Sequence, residues 1–237
     1  GSDNNTISGN NLLNNNFVGI RVVSSSGNNF TGNNIINDEK GIWFQSSFNN
    51  TISGNSITNN CANAGEGLTY IGGAGSGQGI CLESSSNNNI SENIVSNNSV
   101  GGIYLDNASN TNKVSKNTVS GNGNNINLHI VTYETNYNFV SGIFVGGNAN
   151  IISENVVMNN GLNTSVSADN LKGNGCNGIL FTGDNATIFG NTVTGNGCNG
   201  IMVLGSDKEI LNNTIAFNGA NGIYIFTNEV NVSNNIL

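Results

Sequence analysis

The chain has 237 residues, a net charge of −8, no proline, 8% charged residues and 36% hydrophobic residues. Its six basic residues are scattered against fourteen acids, which leaves no cationic surface for a phosphate backbone and excludes nucleic-acid binding. No apolar run approaches the length of a membrane-spanning helix, so no membrane insertion is expected, and the apolar residues are periodic, which excludes disorder.

The repeat starts at Ile7 and recurs to the end of the chain. Its anchors are Ile7, Phe30, Ile52, Ile90, Val114, Ile152, Ile188, Ile210 and Val232. Three residues after every anchor stands asparagine, from Asn10 to Asn235, and five after it an aliphatic residue, from Leu12 to Leu237. Five of the eight intervals between anchors are 22 to 24 residues, a length that suits one turn of a solenoid and is too short for an independent globule. Each unit reads as three short strands: one around the anchor, one around the residue at anchor plus five, and a Gly-aliphatic strand, from Gly19-Ile20 to Gly222-Ile223.

In chain order, the coils at Ile7 and Phe30 are compact and the third carries an insert at 61–78. The fourth is compact again. The fifth inserts 123–141, where Leu128 to Tyr133 reads as an added strand, and the sixth inserts 161–177. All three inserts fall at one corner, so they are expected along one edge, beside the third strands. Bends stacked about 4.8 Å apart let each asparagine side chain bond the coils above and below it. Parallel crossovers are right-handed. The expectation is an all-β, single-stranded right-handed parallel β-helix with an asparagine ladder, forming one domain over 1–237 with eight full coils and one partial.

Phrases such as Asn50-Thr51-Ile52-Ser53-Gly54-Asn55 and Asn88-Asn89-Ile90-Ser91-Glu92-Asn93 resemble the parallel β-helix repeat family, which includes NosD-type periplasmic proteins and the β-helices of carbohydrate-binding and sugar-hydrolysing proteins. The resemblance implies a fold rather than an activity, because the repeated residues are the scaffold. The copper association of NosD-type proteins finds no ligand cluster in a chain with one histidine and two methionines, so no metal or other cofactor is expected.

Alternation along the third strand sends one column outward: Arg21, Trp43, Cys81, Tyr104, Phe144, Leu180, Met202 and Tyr224. A second runs beside it, including Gln45, Glu83 and Asp106. The apolar members imply either that the inserts lie over them or that they form a binding or assembly face. Glu83 and Asp106, one coil apart and flanked by Trp43 and Tyr104, are the candidate catalytic pair, with a solvated acidic pair or a weak cation site as the alternative. His129, near Tyr133 and Glu134 in the second insert, is a further catalytic candidate or an ordinary surface residue. Trp43, Tyr104, Phe144, Tyr133, Glu83 and Asp106 are the candidate binding residues.

Cys176 and Cys198 occupy the same phrase, Gly-Asn-Gly-Cys-Asn-Gly-Ile, one coil apart. Stacking brings their Cα atoms to about 5 Å, within disulfide range, and a disulfide implies an extracellular, cell-surface or periplasmic location. Cys61 and Cys81 either pair across the first insert or remain buried thiols. The leading functional expectation is a non-catalytic structural, adhesive or neutral-glycan-binding protein; the alternative is a glycoside hydrolase or polysaccharide lyase. Gly1-Ser2 resembles a cloning remnant, and neither end supplies a polar cap. The chain is therefore expected to be part of a longer protein or to stack end to end on copies of itself.

Overall fold

The computed structural model describes residues 1–60, 77–124, 127–129, 140–163, 165–167 and 176–237. No helix occurs among them. Three parallel sheets of nine, eight and eight strands run the length of the chain, each built from one strand per coil. Eight coils carry all three strands, from Thr6–Ser8, Asn11–Leu13 and Val18–Val23 to Lys208–Leu211, Thr214–Ala216 and Ile223–Ile225. A ninth begins with Val230–Ser233 and ends in a bridge between Thr214 and Ile236. This is a right-handed parallel β-helix of the expected coil count.

The register follows the sequence repeat. Every anchor pairs with the next, as Ile52 with Ile90 and Ile90 with Val114, and the residues at anchor plus five pair in the same way. Inward residues make one continuous core. Ile42, Phe44, Ile80, Leu82, Ile90 and Val95 are all fully buried, and Phe30 meets Phe44 edge-on at 5.2 Å. β-branched residues dominate because their stiff side chains suit a pleated, packed face.

The bends need left-handed backbone, and most supply it through Gly9, Gly32 and Gly54 or through Asn14, Asn37 and Asn59. Glu92, Lys116 and Glu154 take the same conformation at φ 59°, 59° and 56°. The stacked asparagines above and below hold those bends shut.

The ladder is present as expected. Asn93 donates from both its main-chain N–H and its Nδ2 to Asn117 Oδ1, and Asn117 does the same to Asn155 Oδ1. Two further ladders were not read from the sequence. One lies two residues before the anchors, through Asn5, Asn28, Asn50, Asn88, Asn112 and Asn150. The other lies eight after them, through Asp38, Asn60, Asn98, Asn122, Asn160, Asn196 and Asn218. A short ladder of Ser25, Ser47, Ser85 and Ser109 stands at a further bend.

Within the expected inserts, the strand Asn127–His129 confirms part of the added strand. It pairs in parallel with Ser165–Ser167, which the sequence did not flag, in a separate two-stranded sheet. The remainder of the expected strand, 130–133, lies outside the described residues.

Candidate functional site

The outer face of the third sheet carries the expected column in register: Arg21 beside Trp43, Trp43 beside Cys81, Cys81 beside Tyr104, then Phe144, Leu180, Met202 and Tyr224. The column is not an open apolar face. Cys81, Phe144, Leu180 and Met202 are at most 3% exposed, and the last three form a second small core with Tyr104 and Leu204 packed against it. These four residues are therefore buried and do not form an exposed binding or assembly face. Arg21 is exposed, Trp43 and Tyr104 are half-buried, and Tyr224 is open at the far end.

Apart from the far end at Tyr224, the accessible members of the column are therefore Arg21, Trp43 and Tyr104, within coils one to four. The Arg21 guanidinium sits 4.6 Å and the Lys40 ammonium 4.0 Å from the Trp43 ring centre, and Phe17 meets the same ring edge-on at 6.0 Å. Tyr104 stacks on Phe144 at 4.9 Å. Arg21 donates twice to Gln45 Oε1, at 3.1 and 2.6 Å, and Gln45 Nε2 donates to Glu83 at 3.1 Å, so three coils share one polar chain.

Burial, with smaller contributions from Cys81, Asp106 and Glu83, pushes the Tyr104 phenol well above its usual range. The Cys81 thiol is raised by burial too, against the pull of Lys40. Both stay protonated at neutral pH. Four polar atoms of this sheet are buried without any hydrogen-bond partner: Trp43 Nε1, both Gln78 amide atoms and Ser141 Oγ. Buried polar groups are nearly always paired, and these four are unpaired inside the protein, with essentially no surface open to a ligand.

Glu83 and Asp106 occupy neighbouring coils as expected, but their environments differ. Both Asp106 oxygens accept from the Ser84 N–H at 3.0 Å, and Oδ1 also accepts from the Ala108 N–H at 3.1 Å and the Ser109 hydroxyl at 2.7 Å. That carboxylate closes its own bend, whereas Glu83 accepts from Gln45 and stays half-buried. Sequence spacing places the two in one column but does not reveal the local donors that hold Asp106. His129 lies in the separate two-stranded sheet. Tyr133 and Glu134 lie outside the described residues. A concavity of about 650 Å³ at the first coil is lined by Ile7, Ile20, Val22 and Phe30, and is the core seen end-on.

Cys176 and Cys198 form the expected disulfide, with Cα atoms 5.0 Å apart, and Cys198 N–H donates to the Cys176 carbonyl at 2.9 Å. Cys81 is a buried free thiol, and Cys61 lies outside the described residues. Replacing both Cys176 and Cys198 by alanine is expected to lower stability by about 3 kcal/mol, the chain-entropy value for a loop of this length. The midpoint of urea unfolding against the intact protein checks this.

The family described as "Right handed beta helix region" matches residues 177–237, and that described as "Periplasmic copper-binding protein (NosD)" matches residues 1–76. The chain is a parallel β-helix repeat protein. Among solved structures, this β-helix is similar to the A-module of a mannuronan C-5 epimerase from Azotobacter vinelandii, at 15% identity and TM-score 0.55, covering 99% of this chain and 58% of that one. It is also similar to DFA-IIIase from Arthrobacter chlorophenolicus without its lid, at 13% identity and TM-score 0.55, covering 93% and 49%. A third similarity is to an alginate lyase from a Paenibacillus species, at 17% identity and TM-score 0.51, covering 93% and 79%. At these identities the likeness is one of fold. The β-helix spans about half to three-fifths of the length of the first two of these proteins. Comparison with curated protein sequences finds no significant match.

The stretch that matches the NosD family contains no histidine and no methionine, and no three His, Cys, Asp or Glu side chains converge among the described residues. These donors do not fit copper, which is held by imidazole and soft sulfur ligands.

Proposed function

We propose that this β-helix is an extracytoplasmic protein that binds neutral carbohydrate on the outer face of its third sheet, over coils one to four. The observation that carries the proposal is the accessible polar chain of Arg21, Gln45 and Glu83 beside the half-buried rings of Trp43 and Tyr104. A sugar offers hydroxyls to the first and C–H faces to the second, the usual division of labour in a small-molecule site. The net charge of −8, with Glu83 and Asp106 on this face, disfavours an anionic polymer. The disulfide and the periplasmic description of the NosD family support a location outside the cytoplasm.

An enzymatic reading, glycoside hydrolase or polysaccharide lyase, has in its favour the placement of Glu83 and Asp106 on adjacent coils beside Tyr104. The bonds that tie Asp106 to its own bend and to Ser84 of the coil before favour binding over chemistry, since a retaining pair needs both carboxyls turned to the substrate.

A glycan array with neutral and uronic oligosaccharides, run beside a hydrolysis and lyase panel, separates the two. Binding of neutral glycans is expected, weakened roughly tenfold by Trp43→Ala or Tyr104→Ala, which is about 1.4 kcal/mol per lost ring. Cleavage abolished by Glu83→Gln or Asp106→Asn would replace the binding reading with the enzymatic one.

A further inference from the structure

The third ladder has one acidic rung. Asp38 is 2% exposed, its main-chain N–H donates to Asn60 Oδ1 at 3.1 Å, and its own Oδ1 accepts from the Asn15 N–H at 2.6 Å, as an asparagine there would. Its Oδ2 occupies the place that Nδ2 takes in every other rung. A Cβ built on Gly19 would meet Asp38 Oδ2 at 2.6 Å, and one built on Gly41, Gly79, Gly102, Gly142, Gly178 or Gly200 would meet the Nδ2 of the local asparagine at 2.7–3.1 Å.

From that place, Asn98, Asn122, Asn160, Asn196 and Asn218 donate to a carbonyl of the preceding coil's second strand. The groups that pack against this rung are Asn15 from the coil before, Asn60 from the coil after, and Gly19 and Ile35 beside it; none titrates. The charged side chains closest in sequence are Glu39 and Lys40, on the same bend. Asp38 Oδ2 has no partner that a carboxylate could use, and a protonated O–H would restore the donor that the ladder supplies everywhere else. Burial pushes this carboxyl up, against the lowering effect of Asn15.

We propose that Asp38 is a protonated rung of the third ladder, and that its ionisation loosens the bend leading into the strand Lys40–Gln45, placing Trp43 under the control of pH. That strand begins two residues later, where the Glu39 and Lys40 N–H groups both donate to the Phe17 carbonyl. The proposal does not depend on what the face binds.

A carboxyl raised in the folded state keeps its proton over a range in which the unfolded chain has lost it. Its stabilising effect is therefore complete below the ordinary value of 3.8 and is lost as pH rises through the folded value. The Asp38→Asn variant is expected to have a higher urea midpoint than the parent at pH 7 and the same midpoint near pH 3.5. Trp43 is the chain's one tryptophan, so its emission reports on the strand directly. Emission of the parent is expected to change with pH, with a midpoint above 3.8, and that of Asp38→Asn to stay flat. A midpoint difference that is the same at both pH values overturns the protonated rung. An emission change that survives in Asp38→Asn, or is missing from both proteins, overturns the coupling to Trp43.

Discussion

Replacing Asn117 by alanine is expected to lower stability by about 4 kcal/mol, more than any single surface change in this chain. Its Nδ2 donates to the Ile90 carbonyl at 2.9 Å, the Ser115 carbonyl at 3.1 Å and Asn155 Oδ1 at 3.0 Å. Its Oδ1 accepts from the Asn93 N–H at 3.0 Å and Nδ2 at 2.9 Å. The residue is 1% exposed, so water cannot replace these partners. Each buried group left unpaired costs about 1–3 kcal/mol, and the losses are not additive within one network, which sets the figure below the simple sum. Asn231, exposed on the ninth anchor strand, is the control: alanine there is expected to change stability by less than about 0.5 kcal/mol. Equal urea midpoints for the two variants would remove the ladder from its role in stability.

How much of this was legible in the sequence follows from where the physics is local. The anchor, the asparagine three later and the aliphatic residue five later are fixed by one coil's own bend and pleat. Every coil repeats them, and the register could be written down before any coordinates. The ladders at anchor minus two and anchor plus eight were hidden because they admit substitutes: Asp38 in one, Ala186 and Lys208 in the other. A search for invariant asparagine passes over such columns.

Bends at Glu92, Lys116 and Glu154 were illegible for the opposite reason. Neighbouring rungs hold left-handed backbone there without the glycine or asparagine that normally announces it. At the candidate site, alternation placed Trp43, Tyr104, Glu83 and Asp106 on one face. The pattern alone could not say that the column from Phe144 to Met202 is buried, because alternation gives the direction of a side chain and not what lies against it. Nor could it show that Asp106 is held by Ser84 of the third coil and by Ala108 and Ser109 of its own bend, since strand alternation says nothing of the donors in the bends.

Between pH 7 and 11 the protein is expected to gain about 3 kcal/mol of stability through Lys208 alone. This lysine stands in the ladder at anchor minus two, two residues before Ile210, and is 1% exposed. Its ammonium donates to the Gly183 and Ser206 carbonyls. Asn88 Nδ2 makes the equivalent pair of bonds four coils earlier in the same column, to the Ser47 carbonyl at 3.0 Å and the Ser86 carbonyl at 3.1 Å. The rung beneath is Ala186, whose small side chain leaves room for the longer one above it.

Burial holds the amine down to about 8, against the opposing pull of Asp184 and Asp207. The folded value therefore lies below the unfolded 10.5, and between the two the unfolded chain binds more protons, so stability rises with pH. Each unit of that difference is about 1.4 kcal/mol, which gives about 2 kcal/mol by pH 9.5. Urea midpoints at pH 7.5 and 9.5 measure the rise, and Lys208→Met, which keeps the length and drops the charge, is expected to show none. A rise of the same size in Lys208→Met would assign it to other groups and leave Lys208 ionised in its rung.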